Sequence, residues 1–463
     1  MMLKRFTNAC VKLVDRWLPD PFLFAIVLTL VVFGAAVALT DQTPVQVLAY
    51  WGDFKKGFWN LLTFSMQTSM IVVFGSTLAK TKVFSVMISS LAGAATSSAS
   101  AIILITIVSS VFSWLNYGLG LIIGALLSKA VVKRMAVTHP NVKLDYRLLI
   151  AAAYSGFVIW HQGLSGSIPL TIATEFKVGS MVIHSPITET LFHPVNLITV
   201  AACILMLCVV NVAMTPDAEH TVTVDPALLA DDEFNPTYEI KTPADRMEHS
   251  KILWLATVIL GWAYIIYYFY SFAASGKSVL NGLGRNSVNI VLLFAGILLH
   301  GDLRRYVDAL KTSVSSVAGV ILQYPFYAGI MAIMVGTDAS GASLAKMISN
   351  FFVQYSTKVT FPFFTFISAG IVNFLVPSGG GQWAVQAPIV MQAASEIGVP
   401  QSIAAMAIAF GDQWTNMIQP FWALPALAVA GLKAKDIMGF MVVVTIATGI
   451  VLGAGIFAWA LFI

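Results

Sequence analysis

The residues of this chain with the clearest chemical potential stand inside apolar sequence. Pro377-Ser378-Gly379-Gly380-Gly381-Gln382-Trp383 interrupts a hydrophobic run from Phe361 to Met391, and Asn116-Tyr117-Gly118-Leu119-Gly120 interrupts another. A glycine-rich break that opens a helix presents unpaired N–H groups and the positive end of the helix dipole, which together bind anions. Glycine there also permits positive φ and close approach. Two more apolar runs are broken by polar residues: Trp160-His161-Gln162-Gly163-Leu164-Ser165-Gly166-Ser167 before Pro169, and Gly411-Asp412-Gln413-Trp414-Thr415-Asn416 through Pro420 before Pro425. Such breaks offer carbonyl and side-chain oxygens to a coupling cation, here Asp412, Thr415 and Asn416. Asp412 is the only acidic residue in the run 402–430, and His161 the only histidine well inside an apolar span. Ionisable groups at such depth mark functional positions. The plainer alternatives are helix packing for the glycines, a hydrogen bond from His161 to Ser165 one turn away, and local helix capping for Asp412.

These breaks need a membrane scaffold. The chain has 463 residues, of which 58% are hydrophobic and 10% charged, with a mean hydropathy of +0.83. That composition fits an all-α polytopic membrane protein. About nine apolar stretches approach the length needed to cross a bilayer: 21–40, 61–79, 148–172, 190–213, 251–273, 286–300, 312–336, 401–429 and 437–462. The N-terminal segment carries Lys4, Arg5, Lys12 and Arg16 and has no cleavage site after the next apolar run, so an uncleaved, cytoplasmic end is expected. The formal net charge of +4 sits mostly in short loops, where it sets topology and implies no nucleic acid partner. Cys10, Cys203 and Cys208 are too few for a disulfide framework.

Residues 215–249 form an acidic polar linker, with nine acidic residues against Lys241 and Arg246 and prolines at 216, 226, 236 and 243. It divides the chain into a first transmembrane repeat, 1–214, and a second half, 250–463, made of a connecting helix and the second repeat. Three weak matches in the same order support the repeat: Gly52-Asp53-Phe54-Lys55-Lys56 with Gly301-Asp302-Leu303-Arg304-Arg305, Ser113-Trp114-Leu115-Asn116 with Asn373-Phe374-Leu375-Val376, and Ala153-Tyr154-Ser155-Gly156 with Ala409-Phe410-Gly411-Asp412. Counting crossings makes the second repeat inverted relative to the first. Around the glycine breaks the apolar arms are short, 98–113 with 119–132 and 361–376 with 382–395. They read as two re-entrant helical hairpins, about 98–132 and 361–395, whose tips meet from opposite sides.

At this point the residues match a known family. The Pro377-to-Trp383 tip and the Gly411-to-Pro420 segment make the chain resemble the short-chain fatty acid transporters, of the acetoacetate and butyrate permease type, over essentially its whole length. That family looks like a branch of the larger ion-transporter superfamily. The resemblance implies an inverted-repeat, elevator-type secondary transporter, usually a homodimer, in the bacterial inner membrane. It implies short-chain monocarboxylate substrates, symport with H⁺ or Na⁺, no other cofactor, and a lipid bilayer as the other partner. By position it places substrate at Asn116, Gly118 and Gly120, at Ser378, Gly379, Gly380, Gly381, Gln382 and Trp383, and beside His161 and Gln162, with Asp412, Thr415 and Asn416 for the coupling ion or proton. Related dicarboxylate carriers have a Ser-Asn-Thr triplet at both tips; this chain has neither, so sodium sites do not carry over.

The arginines argue separately about the substrate. All eight, Arg5, Arg16, Arg134, Arg147, Arg246, Arg285, Arg304 and Arg305, fall in loops or at helix ends, which leaves none for a mid-membrane fork to a carboxylate. Two helix N-termini of about +0.5 charge each balance one carboxylate and not two. A small apolar tail then contacts Trp160, Trp383 or Trp414. An intramembrane serine protease built on Gly163-Leu164-Ser165-Gly166-Ser167 with His161 fits poorly, because the motif is imperfect and two hairpins have no role in proteolysis. A metalloprotease would need His-Glu-x-x-His, which is absent. A passive carboxylate channel, or a carrier of another small organic anion, is the remaining alternative.

Overall fold

A run of apolar residues has one way to satisfy its backbone locally in lipid, the α-helix. The computed structural model describes residues 2–17, 21–173, 176–178, 181–225, 238–276, 279–282 and 285–461. Five of its helical stretches are long and apolar enough to cross a membrane, Phe22–Leu39, Ser98–Leu115, Pro194–Ala213, Pro243–Ala274 and Ala434–Ala460. Shorter apolar helices include Asn286–His300, Ile321–Val335, Phe361–Leu375 and Pro420–Ala430. Among the described residues the regular structure is helical apart from one two-stranded antiparallel ribbon, Phe176–Val178 with Met181–Ile183. Of the acidic linker, 226–237 lies outside the described residues.

One succession of elements occurs twice along the chain. A helical hairpin comes first, Ser98–Leu115 with Tyr117–Thr138 in one half and Phe361–Leu375 with Gly379–Ile397 in the other. An interrupted helix follows each. The first is Tyr146–Ser155, a 3-10 segment Gly156–Gln162, and a short helix Ser167–Ala173. The second is Gln401–Thr415, a 3-10 turn Asn416–Ile418, and Pro420–Ala430. The arms of the first hairpin are longer than their apolar cores indicate. Tyr117–Thr138 has 22 residues because Lys129, Lys133 and Arg134 are good helix formers whose long stems extend along apolar surface while the charged heads reach out.

Lipid tails are as apolar as leucine, so the helices are held by close packing of small residues more than by hydrophobic burial. Glycines mark where each interrupted helix presses on its own hairpin. A Cβ on Gly156 would lie 2.6 Å from Ser110 N, and one on Gly163 2.1 Å from Trp114 O. In the second half a Cβ on Gly411 would lie 2.3 Å from Phe366 O. Leu164 N–H donates to Trp114 O at 2.8 Å, which fixes the first break against the first hairpin. The amphipathic N-terminal helix Met2–Trp17 lies along Ala434–Ala460, where a Cβ on Gly439 would come 2.5 Å from Val11 Cα. Cys10, Cys203 and Cys208 are free.

Candidate functional site

The two interrupted helices meet at their breaks. His161, in the first, brings Nδ1 to 3.3 Å from Asp412 Oδ1 in the second, and both side chains are almost fully excluded from solvent, at 0% and 1% exposure. The approach lacks the alignment of a formed hydrogen bond, and Asp412 Oδ2 has no partner. The other ring nitrogen, Nε2, accepts from Ile168 N–H at 3.2 Å. That contact places the neutral ring's hydrogen on Nδ1, facing Asp412. His161 does not bond Ser165, whose hydroxyl instead accepts from Tyr117 N–H at 3.1 Å.

Around the pair runs a polar network. His161 N–H donates to Gln413 Oε1 at 3.1 Å, Gln413 Nε2 to Gln162 Oε1 at 2.8 Å, and Gln162 Nε2 to Asn196 Oδ1 at 3.0 Å. On the far side of Asp412, Asn373 Nδ2 sits within 2.7 Å of Asp412 O, 2.9 Å of Thr415 Oγ1 and 2.9 Å of Asn416 Oδ1. Thr415 in turn donates to Gly370 O at 2.8 Å, and Asn416 Nδ2 reaches Asp412 Oδ1 at 3.4 Å. The Tyr154 hydroxyl donates to Asn416 O at 2.7 Å, joining the halves again. Asp412, Thr415 and Asn416 thus lie together around the Asn373 amide. Asn373, Gln413, Asn196 and Tyr154 are members that the motif reading missed. Asn373 is the only carboxamide in its hairpin arm, the one signal that could have found it.

The two hairpin tips differ. At the second, Ser378 Oγ accepts from Gly381 N–H at 3.3 Å and Ser378 O from Gln382 N–H at 2.7 Å. The amides of Gly379 and Gly380, in the first turn of the helix, have no acceptor among the described residues, and of the two Gly379 is buried. Gly380 is exposed, and a Cβ there would meet nothing within 4 Å. Gly379 instead lies flat on the imidazole: its Cβ would stand 2.5 Å from His161 Cε1 and 3.1 Å from Trp160 Cη2. Gly381 faces Met331 Cε. None of the tip glycines has a positive φ; those that do are Gly276, Gly301, Gly341, Gly398 and Gly431. Close approach, not left-handed backbone, is therefore what glycine provides at Gly118, Gly120, Gly379 and Gly381, while Gly380 faces open space.

At the first tip the free N–H groups expected from sequence are already used. Asn116 Oδ1 accepts from Gly118 N–H at 3.0 Å and Leu119 N–H at 3.2 Å, Tyr117 N–H goes to Ser165, and Gly120 N–H goes to Asn116 O at 3.1 Å. Gly118 packs on Ile71, and a Cβ on Gly120 would fall 2.0 Å from Ser113 Oγ. Asn116, Gly118 and Gly120 close that tip upon itself. Its tie to the second tip is aromatic: the Tyr117 ring meets Trp160 edge-on at 5.3 Å, and Trp160 stacks on His161 at 3.9 Å.

Gln382 and Trp383 are buried. Gln382 Nε2 donates to Ala369 O and Gln386 Oε1, both at 2.8 Å, and so braces its own hairpin. Trp414 turns outward, stacking on Phe366 at 4.9 Å and donating Nε1–H to Thr445 O at 2.7 Å. It is not at the tips, whereas Trp160 is. The aligned arginines stay remote: Arg147 pairs with Asp145 at 3.0 Å, Arg304 with Asp308 at 2.9 Å and Glu248 at 2.8 Å.

A family profile described as short chain fatty acid transporter matches residues 2–459. The chain belongs to the short-chain fatty acid transporter family. A protein of Escherichia coli (strain K12) whose name assigns it to short-chain fatty acid transport is 39% identical over 461 residues, 98% of this chain and 99% of its own. One of Haemophilus influenzae, named in the same way, is 39% identical over 472 residues, 98% of this chain and all of its own. A crystal structure of the Alcanivorax borkumensis YdaH transporter overlaps 96% of this chain and 98% of its own at 14% identity and a TM-score of 0.42, too low for a shared topology to follow. Membership makes this family member a multi-pass membrane transporter of small molecules and not an enzyme.

Proposed function

We propose that the protein is a secondary active transporter of short-chain monocarboxylates, butyrate and acetoacetate, coupled to a cation. The observation that carries this reading is the second tip, where the Gly379 and Gly380 amides lack an acceptor among the described residues and Gly379 rests on His161, the neighbour of Asp412, with no arginine at hand. One helix N-terminus of about +0.5 charge, with two amide donors, suits a single carboxylate.

Coupling follows from charge. A substrate carboxylate and the Asp412 carboxylate repel by about 3 kcal/mol at a separation of about 5 Å and an effective dielectric of about 20. One accompanying cation removes that cost, so substrate and cation bind best together. In the same reading the halves are inverted repeats, the transport domain moves by an elevator-like step, the N-terminus is cytoplasmic, the membrane is the bacterial inner membrane, and the assembly is a homodimer.

Purified protein in liposomes tests this. Labelled acetoacetate should enter saturably and exchange against unlabelled substrate inside. Flux that rises linearly with concentration and simply follows voltage would identify a channel and defeat the carrier reading.

A further inference from the structure

We infer that the coupling ion is a proton, carried by the His161–Asp412 pair, and that its seat on the pair is sensed directly by the second hairpin tip. The inference rests on the carrier reading of the same site and names its cation.

The first support is the state of the oxygens that a sodium ion would need. Asp412 O, Thr415 Oγ1 and Asn416 Oδ1 converge on one point, and the Asn373 amide nitrogen occupies it at 2.7 to 2.9 Å. An N–H₂ group at the focus supplies positive hydrogens where a metal ion would sit. Thr415 Oγ1 is further committed to Gly370 O. The two hydrogens of that amide are shared among the three oxygens, so the point is occupied without an ion.

The second support is the state of the ionisable pair itself. His161 Nδ1 and Asp412 Oδ2 are buried without hydrogen-bond partners, and Nδ1 faces the carboxylate at 3.3 Å. A buried polar atom without a partner is costly, and a proton on Oδ2, hydrogen-bonding onward to the incoming substrate, relieves that. The titratable groups tied to this region by contact from neighbouring elements are Tyr117, edge-on to Trp160, and Tyr154, bonded to Asn416 O, with Tyr324 and Tyr327 next to Tyr154. The charged residues of those elements lie toward their far ends: Arg147, Lys435 and Asp436 in first turns, Glu396 in a last turn, and Lys129, Lys133 and Arg134 at least about 20 Å along their helix from the tip. Among the described residues of those elements, no further charged side chain lies nearer the pair.

The third support is the contact of Gly379 with the imidazole. Gly379 bears directly on the imidazole, so hairpin position and protonation of the pair are linked. On the outer side an O–H bond forms at Asp412 Oδ2 from a solvent proton as RCOO⁻ binds. On the inner side that bond breaks and RCOO⁻ leaves with H⁺, moving no net charge.

The test uses full-length protein in liposomes with a lumenal pH dye and labelled acetoacetate, reading initial rates above those of protein-free vesicles because the neutral acid crosses lipid unaided. An acid-outside step of about one unit should raise the wild-type rate by up to about tenfold, the ratio of proton activities, with matching lumenal acidification and no response to a sodium gradient. Asp412→Asn should lose the pH response and the acidification, and Asp412→Glu should recover both. Tracer exchange without any gradient reports the carrier reading on its own. Exchange with sodium-driven uptake, or proton entry that survives in Asp412→Asn, overturns the proton assignment while leaving the carrier. Absence of exchange in the wild type overturns the carrier reading itself.

Discussion

Gly379 and His161 are in such close contact that the glycine leaves no room for a side chain: a Cβ would stand 2.5 Å from the imidazole Cε1 and 2.8 Å from Nε2. A hairpin tip from one half of the chain thus rests on the ring that faces the buried Asp412 of an interrupted helix. Tip and ionisable pair form one unit.

The two neighbouring glycines should therefore respond in opposite ways. Gly379→Ala forces the tip off the ring or the ring out of line, at roughly 1–3 kcal/mol, and should lower the melting temperature in detergent as well as transport. Gly380→Ala meets open space, so stability should change by no more than about 0.5 kcal/mol. Gly380→Val should leave a folded, inserted protein that no longer transports, because the branched side chain fills the space in front of the open amides. Normal uptake by Gly380→Val would remove this tip from the site.

Selectivity should follow from the missing arginine. Succinate and citrate should compete with labelled butyrate at least about tenfold more weakly than acetoacetate does, a difference of about 1.4 kcal/mol. Competition by succinate as strong as by acetoacetate would require a second cationic group.

Asn373 offers a probe of the polar network. Asn373→Leu leaves three buried oxygens without their shared donor and should cost about 1–3 kcal/mol for each that finds no substitute. Asn373→Asp puts an oxygen where the amide nitrogen stood, so four oxygens then converge. That variant should be destabilised in potassium buffer and restored by sodium, whereas wild-type melting should not respond to sodium. A sodium response in the wild type would show that the amide can yield its place to the ion.

Away from the membrane, Asp338 gives a pH signature. Its carboxylate accepts from the Ser340 hydroxyl at 2.6 Å and from the Ser340, Ala342 and Asp41 amides. These bonds, the Ser340 hydroxyl foremost, hold its pKa below the ordinary carboxylate value. A folded-state pKa below the unfolded one contributes stability above the unfolded value and loses it as pH falls through the folded one. Asp338→Ala should thus lower the melting temperature at neutral pH, and the gap to wild type should narrow below about pH 4. A gap that widens on acidification contradicts the assignment.

Much of this was legible in the sequence. Breaks at Gly163, at Pro377 to Gly381 and at Asn416 to Pro420 stand out because polar or glycine residues in apolar runs disturb helix pattern locally, and helices do end there. Asp412, Thr415 and Asn416 share one short segment, so their proximity was local too. What could not be read were pairings between distant segments. Nothing near His161 in sequence identifies Asp412 as its neighbour, and Asn373 looks like any hairpin amide until Asp412 O and Thr415 come into reach. The first tip misled for a related reason. Its glycines resemble those of the second, yet Asn116 and Ser165 consume the amides, and whether an N–H is free depends on the side chain that folds over it.

The most direct test places a thiol at the proposed binding point. Gly380→Cys, in a background of Cys10→Ser, Cys203→Ala and Cys208→Ala, should react with a water-soluble thiol reagent, since position 380 is exposed and faces open space. Butyrate and acetoacetate should slow that reaction in proportion to their occupancy, and succinate should not. Labelling that proceeds at the same rate with and without butyrate, in protein that still exchanges butyrate, would contradict the account by placing the substrate somewhere other than the second tip.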